Sequence, residues 1–387
     1  MTLRCADLGE DGLLARILPL VDPDRHPPGP ERPFAEARGG VLLGPGDDAA
    51  VVRAPGDQVI TTDMLVEGRD FHRDWGDGTA LGIKAAAQNL ADVAAMGARP
   101  TGLVVALGLP GDVPVAFVEN LASGLAAEAA RGGAAVLGGD LSGAGEITVS
   151  VTAFGALDGR PPVTRSGARP GDLVALAGTV GRAAAGLELL LAGYRPGAFG
   201  EADCGLAGAE PHALDALIGA QLSPRPPYLS GPEAARAGAR ALIDASDGLV
   251  QDLGRVAAAS GVRIEIDGSS PALRALTAEL LPAARLLGTV RPEEEAADEA
   301  AREDATPQEQ ARRWLLGGGE DHGLLAVFPA TGTPEHAGTP GCPSLPVGFQ
   351  IVGRVLAAED GQAQAGLVSV DGVPADPHSG FSHFRQG

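Results

Sequence analysis

The 387-residue sequence is poor in cysteine, lysine, aromatic residues and long apolar runs, and each shortage excludes something. Its three cysteines, Cys5, Cys204 and Cys342, are odd in number and scattered. They make neither a disulfide framework nor a zinc ligand set, so a reducing, cytoplasmic location is expected. No apolar run approaches the length of a membrane span. The N-terminus lacks a basic stretch followed by an apolar core, so no secretory leader is expected. Positive charge is also short: 29 Lys and Arg face 50 Asp and Glu, for a net charge of −21. That balance argues against a nucleic-acid or anionic-membrane partner. It leaves room for anionic ligands, because a cation can sit between carboxylates and phosphates. The familiar nucleotide signatures are missing as well: no G-x-x-x-x-G-K-[ST], no strand–G-x-G-x-x-G–helix unit, no H-R-D or D-F-G. Neither G-x-S-x-G, H-E-x-x-H nor paired C-x-x-C occurs.

What is present is an ordinary apolar fraction, 44%, and an abundance of glycine, 57 residues, which calls for tight turns or close backbone approaches. The length suits two domains with real cores. After an apolar helix candidate ending near residue 20 and a Pro-rich loop at 21–40, strand-like and helix-like segments alternate. "QVITTDML" reads as a strand, residues 79–96 as a helix, "TGLVVALGL" as a strand, "VAFVENLASGLAAEAARGG" as a helix, and "AAVLGGD" and "EITVSVTAFGAL" as strands. "DGRPPVTRSGARPGD" reads as a linker. A second cycle follows: strand "LVALAG", helix "AAAGLELLLAG", a loop, strand "RALIDAS", helix "LVQDLGRVAAASG", strand "VRIEID", then strands "GLLAVF" and "FQIVGRV". Residues 291–312 are acidic and poor in apolar side chains, and read as an exposed insertion. The mixture predicts an α/β (α+β mixed) chain of two domains, 1–157 and 158–387.

Carboxylates recur in one setting, where a strand or Gly-rich turn ends: Asp47 and Asp48 in "GPGDDAA", Asp63 in "TTDML", Asp140 in "LGGDLS", Asp244 and Asp247 in "IDASDG", Glu320 and Asp321 in "GGGEDHG". Asp92 joins them from the helix "NLADVAAMGA", where Lys84, Gln88 and Asp92 fall four apart on one face. A single turn Asp is ordinary turn chemistry. Several placed alike suggest clustering, and clustered carboxylates require a cation. Mg²⁺ suits them, being hard, oxygen-seeking and commonly shared between few carboxylates, water and substrate phosphates. Ser246 and Asp247 open the helix after "RALIDAS", a place suited to anions. The chemistry implied is Mg²⁺-nucleotide binding with phosphoryl transfer.

Taken in order, "GPGDDAAVV", "TTDMLVEGRDF", "KAAAQNLADVAAMGA", "VLGGDLS", "TRSGARPGDLVALAGTVG", "SPRPPYL", "IDASDGLVQDLG", "GGEDHGLL", "IVGRV" and "SGFSHF" resemble the thiamine-monophosphate kinase family. The likeness runs over nearly the whole chain, apart from residues 21–40, 291–312 and 331–346. It implies a two-domain fold of the aminoimidazole ribonucleotide synthetase type, first domains paired in a homodimer, and ATP with Mg²⁺ bound near that pairing. The activity implied is ATP-dependent phosphorylation of thiamine monophosphate to thiamine diphosphate. Asp48, Thr61, Thr62, Asp63, Asp92, Asp140, Asp244 and Asp247 match metal positions, with Asp140, Asp244 and Asp247 expected to act at the reacting phosphates. Gly139, Asp140, Arg165 and Ser246 match nucleotide contacts. Glu320 and Phe381 match positions holding the thiamine moiety. On this reading Asp92 faces inward.

Three departures stand out. Leu141 follows the Asp of "GGD" where the family often has Thr, and His322 follows "GGED" where Tyr is common. Asp70 stands where the family usually has a substrate-contacting His. If residues 69–75 are extended, Asp70 and His72 share a face, and His72 or Arg69 then supplies the missing contact. Two rivals remain. One is another ATP-using enzyme of the superfamily; Cys5 lacks the Gly-rich loop and Lys that selenophosphate chemistry expects. The other is a non-catalytic cation- or nucleotide-binding protein, which would show lost carboxylates.

Overall fold

The computed structural model describes residues 2–21, 41–45, 49–54, 56–198, 210–289, 306–330, 345–358 and 366–376. Asp48 and Phe381, expected in the site, lie outside them, as do residues 291–305 of the acidic stretch. The chain divides into two units, Met1–Pro162 with Pro226–Ala235, and Val163–Arg225 with Arg236–Gly387.

The first unit begins with α1 (Cys5–Val21) and a short antiparallel pair, β1 (Val41–Leu43) and β2 (Val51–Val52). Its body is β3 (Gln58–Val66), α2 (Gly78–Ala95), β4 (Arg99–Leu109), α3 (Val115–Gly132), β5 (Ala135–Gly143) and β6 (Thr148–Ala156), with sheet order β3-β6-β4-β5. Only β4 and β5 run parallel, joined through α3, since a parallel pair needs a long crossover. Asp77 caps α2 by accepting the Ala80 N–H at 2.9 Å, and Gly97 just past its end takes φ 71, as its position after the last apolar turn predicts.

Period-two alternation sorts the sheet's faces. Val149, Val151 and Ala153 of β6 and Leu103 of β4 are fully buried on the side of α2 and α3. These two helices lie very close: a Cβ on Gly82 would stand 2.1 Å from the Leu121 carbonyl. The small residues of α2 are therefore a packing requirement. On the opposite face Ile60 and Met64 of β3 are 64% and 56% exposed. Residues 226–235 return to this unit from later in the chain. Tyr228 donates its hydroxyl to buried Glu128 Oε1 at 2.7 Å, and the Arg131 guanidinium sits 4.4 Å over its ring. Burial, with Glu128 beside it, holds the Tyr228 hydroxyl well above its usual pKa.

The second unit comprises β7 (Leu173–Ala177), α4 (Arg182–Leu191), α5 (Glu210–Leu222), β8 (Ala241–Asp244), α7 (Leu249–Ser260), β9 (Arg263–Ile266), α8 (Pro271–Thr289), α9 (Pro307–Gly317), β10 (Leu324–Phe328), β11 (Phe349–Leu356), β12 (Val368–Val370) and β13 (Val373–Pro374); α6 (Ser230–Arg236), between α5 and β8 in sequence, belongs to the first unit but for its last residue. The sheet order is β13-β12-β9-β11-β7-β10-β8, antiparallel except between β12 and β9. Strands β7, β8 and β10 are buried almost throughout, which matches their continuous Ala, Val, Leu and Ile content.

Two expectations are corrected. The stretch between α4 and β8, expected to be a loop, contains α5, whose Leu214, Leu217 and Ile218 are fully buried. Their 3.6-residue recurrence is a helix signal that the flanking Gly and Pro residues mask. The end of the acidic stretch is also not insertion: Thr306 and Glu309 form a reciprocal capping box, Pro307 starts α9, and Ala311 is fully buried.

Candidate active site

In the first unit, β3 and α2 bring three expected residues together. Thr61 and Asp63 point toward α2 because they are two apart on the strand. The Thr61 hydroxyl donates to Asp92 Oδ2 at 2.9 Å. The Asp63 backbone N–H donates to Oδ1 of buried Asn89, whose amide in turn donates to the Ala85 carbonyl. Asp92 thus faces inward, on the side of the helix that meets the sheet. Asn89 belongs to this group and was missed, since an amide in an Ala-rich helix gives no local signal. The same alternation turns Thr62 away. Its hydroxyl donates to the Val151 carbonyl at 3.0 Å and accepts from Thr152 Oγ1 at 3.2 Å on the exposed face. The side chains of Thr61, Thr62 and Asp63 therefore do not converge.

Asp140 and Gly139 lie on β5, an edge strand among the described residues. A Cβ at Gly139 would be 1.9 Å from the Val105 carbonyl, so only glycine fits there. Asp140 is exposed and accepts from Ser142 Oγ at 3.1 Å. Both residues line a cavity of about 950 Å³. Its other walls include Leu14, Ile17 and Leu18 of α1 and Val52 of β2.

The segment after β3 is not extended. Residues 67–71 make a turn closed by Gly68 N–H to Phe71 O at 2.8 Å. Asp70 accepts the Val66 N–H at 2.8 Å, and the exposed His72 ring packs on Trp75 at 4.4 Å between centroids. The geometry in which Asp70 and His72 share one face is absent, because the turn chemistry of "VEGRDF" overrides the strand pattern.

In the second unit the geometry follows from one pairing. β8 and β10 are antiparallel, with Asp244 opposite Leu324. The loop leaving β8 and the loop entering β10 are therefore neighbours. They continue the ladder: Ala245 N–H to Gly323 O at 2.7 Å, His322 N–H to Ala245 O at 3.2 Å, Glu320 N–H to Ser246 O at 2.8 Å. Glu320 and His322 both hold φ near +60°, a conformation few non-glycine residues adopt and one that clusters at functional sites. Between them, buried Asp321 accepts from Thr179 Oγ1 at 2.8 Å and the Ala183 N–H at 3.0 Å, tying the loop to the start of α4. Burial raises the Asp321 carboxyl pKa.

Asp244 is buried at the end of β8, with His322 Nδ1 at 3.0 Å from Oδ2 and Ser246 Oγ 3.5 Å from Oδ1. Asp247 pairs with the Arg255 guanidinium and accepts from Gln251 Nε2 at 3.3 Å. Glu320 accepts from buried Gln221 Nε2 at 2.6 Å. Arg165 is exposed; next to it the Thr164 carbonyl accepts the Leu242 N–H of β8 at 3.1 Å, so the linker runs along the free edge of the strand that carries Asp244.

One expectation about this loop needs correction. The N-terminus of α7 was expected to be open to an anion. The N–H groups of Asp247 and Gly248 instead donate to Asp252 Oδ2 at 2.9 and 3.1 Å, and Arg255 pairs with Asp252 Oδ1 at 2.6 Å. A fully buried internal carboxylate thus takes up the two N–H groups that lead into α7. Burial, with Asp244 adding to it, pushes the Asp252 carboxyl up to about 7, against the Asp247 N–H and Arg255. Asp252 was not foreseen, since in sequence it looks like one polar face residue of a helix.

The donors in both units are carboxylate and hydroxyl oxygens, the kind that Mg²⁺ takes. Among the described residues no three His, Cys, Asp or Glu side chains stand where they could hold an ion by themselves.

Comparison with known proteins gives a consistent set of likenesses. Residues 46–157 match the family model described as AIR synthase related protein, N-terminal domain. The thiamine-monophosphate kinase of Mycobacterium tuberculosis (strain CDC 1551 / Oshkosh) is 42% identical over 347 residues, 89% of this chain and 87% of that one. The crystal structure of the thiamine-monophosphate kinase from Stenotrophomonas maltophilia K279a is similar at TM-score 0.63 and 30% identity, over 94% of this chain and 96% of that one. A structure described as AaThiL complexed with AMPPCP and TMP is similar at TM-score 0.63 and 28% identity, over 99% of this chain and all of that one.

Proposed function

The chain belongs to the thiamine-monophosphate kinase family, and we propose that it transfers the γ-phosphoryl group of ATP to thiamine monophosphate, yielding thiamine diphosphate and ADP. The observation that carries this reading within the structure is the paired loop at the ends of β8 and β10. It sets Asp244, Ser246 and Asp247 beside Glu320 on a common backbone ladder.

A terminal phosphate oxygen of thiamine monophosphate attacks the γ-phosphorus in line, and the bond from that phosphorus to the β-bridging oxygen breaks. The attacking phosphate is already ionised near neutral pH, so no general base is required. Positioning and charge stabilisation are what the protein must supply. Mg²⁺, when bound, screens the crowded phosphate charges and orients both groups. Asp63, Asp92 and Asp140 in the first unit and Asp244 and Asp247 in the second are each proposed as metal ligands, as is Asp48. The exposed Arg165 offers a planar fork suited to phosphate oxygens. Ser246 and Gly139 lie toward the nucleotide in this proposal. Glu320, steadied by Gln221, and Phe381 hold the thiamine moiety, and the turn bearing Asp70 and His72 lies on the substrate side.

A homodimer through the first unit is part of the proposal. Among the described residues Ile60 and Met64 stand exposed on one sheet face, and such apolar side chains suit a face that meets a second copy. No helix of the described residues is long and apolar enough to cross a membrane, and a cytoplasmic location, where ATP is at hand, is proposed with it. The test is direct. Incubation with ATP, Mg²⁺ and thiamine monophosphate should form thiamine diphosphate, and Asp244→Asn, which removes charge but keeps volume, should abolish it without unfolding the chain. Turnover by the Asp244→Asn variant within a few-fold of wild type at saturating Mg²⁺ counts decisively against the role of Asp244.

A further inference from the structure

His322 is the one ring that reaches the Asp244 carboxylate among the contacts described above, and it does so from a loop with little freedom. Three backbone hydrogen bonds join that loop to residues 245 and 246. The Asp321 side chain ties it to Thr179 and Ala183. His322 itself is buried and held at φ 55. A carboxylate only accepts, so the 3.0 Å contact requires Nδ1 to carry the hydrogen. The bond engages Oδ2, while Oδ1 lies on the side of Ser246, 3.5 Å from its hydroxyl. The two carboxylate oxygens are thereby made different. One is committed to an immobile donor inside the fold, and the other faces the loop of Ser246 and Asp247.

We propose that His322 is a positioning residue that fixes the rotation of the Asp244 carboxylate and so presents Oδ1 to the catalytic cation. This rests on the proposed role of Asp244 as a cation holder. Aspartate has a broad two-fold torsion at its carboxylate. Without a fixed lateral donor, the buried group would sample orientations that aim neither oxygen at the ion, and partners of this kind commonly govern affinity for a metal. The competing account is that His322 merely satisfies a buried acceptor and holds the loop.

Alanine separates the two accounts, and asparagine tests whether the donor rather than the ring is what counts. Its Nδ2 stands two bonds from Cβ, as Nδ1 does in histidine, and asparagine tolerates positive φ better than most residues. The probe is Mn²⁺ alone, titrated by electron paramagnetic resonance into the full-length, nucleotide-free protein. The expected result is that His322→Ala weakens Mn²⁺ binding about 10- to 100-fold, while His322→Asn stays within about threefold of wild type. In turnover assays the Mg²⁺ requirement of His322→Ala should rise with the Michaelis constant for thiamine monophosphate unchanged. Native Mn²⁺ affinity in a folded His322→Ala chain, absence of Mn²⁺ binding by wild type, or an asparagine variant that is folded yet as weak as alanine each overturns the inference. The Mn²⁺ titration uses no thiamine phosphate. Failure of the wild-type chain to make thiamine diphosphate would sink the functional reading, whereas the alanine–asparagine contrast decides the role of His322.

Discussion

Replacing Gly319 by alanine is the sharpest perturbation of the paired loops. A Cβ there would stand 2.2 Å from the Ser246 carbonyl oxygen, 3.0 Å from its carbon and 3.1 Å from Asp247 Cα. All three atoms are backbone, so no side chain can turn aside. Restoring an ordinary contact means parting the loops by roughly 1 Å. The 2.8 Å bond from Glu320 N–H to Ser246 O would then stretch beyond hydrogen-bond range. Overpacking of this kind costs about 1–3 kcal/mol, and a lost internal hydrogen bond adds about 1 kcal/mol, giving a destabilisation of about 2–4 kcal/mol. The effect on rate is separate. A shift of about 1 Å between Glu320 on one loop and Asp244, Ser246 and Asp247 on the other costs on the order of 100-fold in turnover. Urea unfolding reads the first quantity and thiamine diphosphate formation the second. Gly288→Ala is the control: it lies exposed in α8 with nothing within 4 Å of a new Cβ, and should gain roughly 0.5–1 kcal/mol with unchanged turnover. If Gly319→Ala matches wild type within about 0.5 kcal/mol and threefold in rate, close loop pairing does not organise the site.

Met64→Asp on the exposed sheet face should convert a dimer to a monomer in sedimentation at micromolar concentration; a wild-type chain that already sediments at 38.8 kDa refutes the pairing. Tyr228→Phe removes the hydroxyl that donates to buried Glu128 and should cost about 1.5–3 kcal/mol in denaturant unfolding; a loss below about 0.5 kcal/mol would show that Arg131 suffices. Asp321→Asn keeps one acceptor oxygen, for the Ala183 N–H, turns an amide N–H toward the Thr179 hydroxyl, and cannot titrate. Because burial raises the Asp321 pKa above 3.8, the native state holds its proton more tightly than the unfolded chain. Wild-type stability relative to the asparagine variant should therefore fall as pH rises through the window above 3.8, and a pH-independent difference contradicts the burial account.

Strand alternation alone separates Thr62 from Thr61 and Asp63, so that division was legible from the sequence. The inward face of Asp92 came from the family resemblance, since in its helix alone Lys84, Gln88 and Asp92 read as one polar face. The strands "QVITTDML", "RALIDAS" and "GLLAVF" announce β3, β8 and β10. What no local pattern contains is that β8 and β10, some eighty residues apart, are antiparallel neighbours. From that single non-local fact come the contact of His322 with Asp244, the bond from Glu320 to Ser246, and the need for glycine at 319. The extended alternative for residues 69–75 fails for the opposite reason: a local device, Asp70 accepting the Val66 N–H, ends the strand pattern.

The carboxylates show why residue type and spacing stop short of role. Asp247 and Asp252 sit five residues apart in one motif and look alike in sequence. Asp252 is fully buried, with two backbone N–H groups and Arg255 as donors. Taking up a cation there would mean pulling the carboxylate from the Asp247 and Gly248 N–H groups and leaving them unsatisfied. Asp247 is only half-buried and meets side chains alone, Arg255 and Gln251, which can swing away without exposing a backbone donor. A divalent ion competes with a half-exposed guanidinium far more easily than with a pair of fixed N–H groups, since only the latter must be left unmade. The expected difference is therefore one of reversibility: carboxylates clamped by backbone serve the fold, and those held by movable side chains or by one ring remain available to phosphate-bound metal.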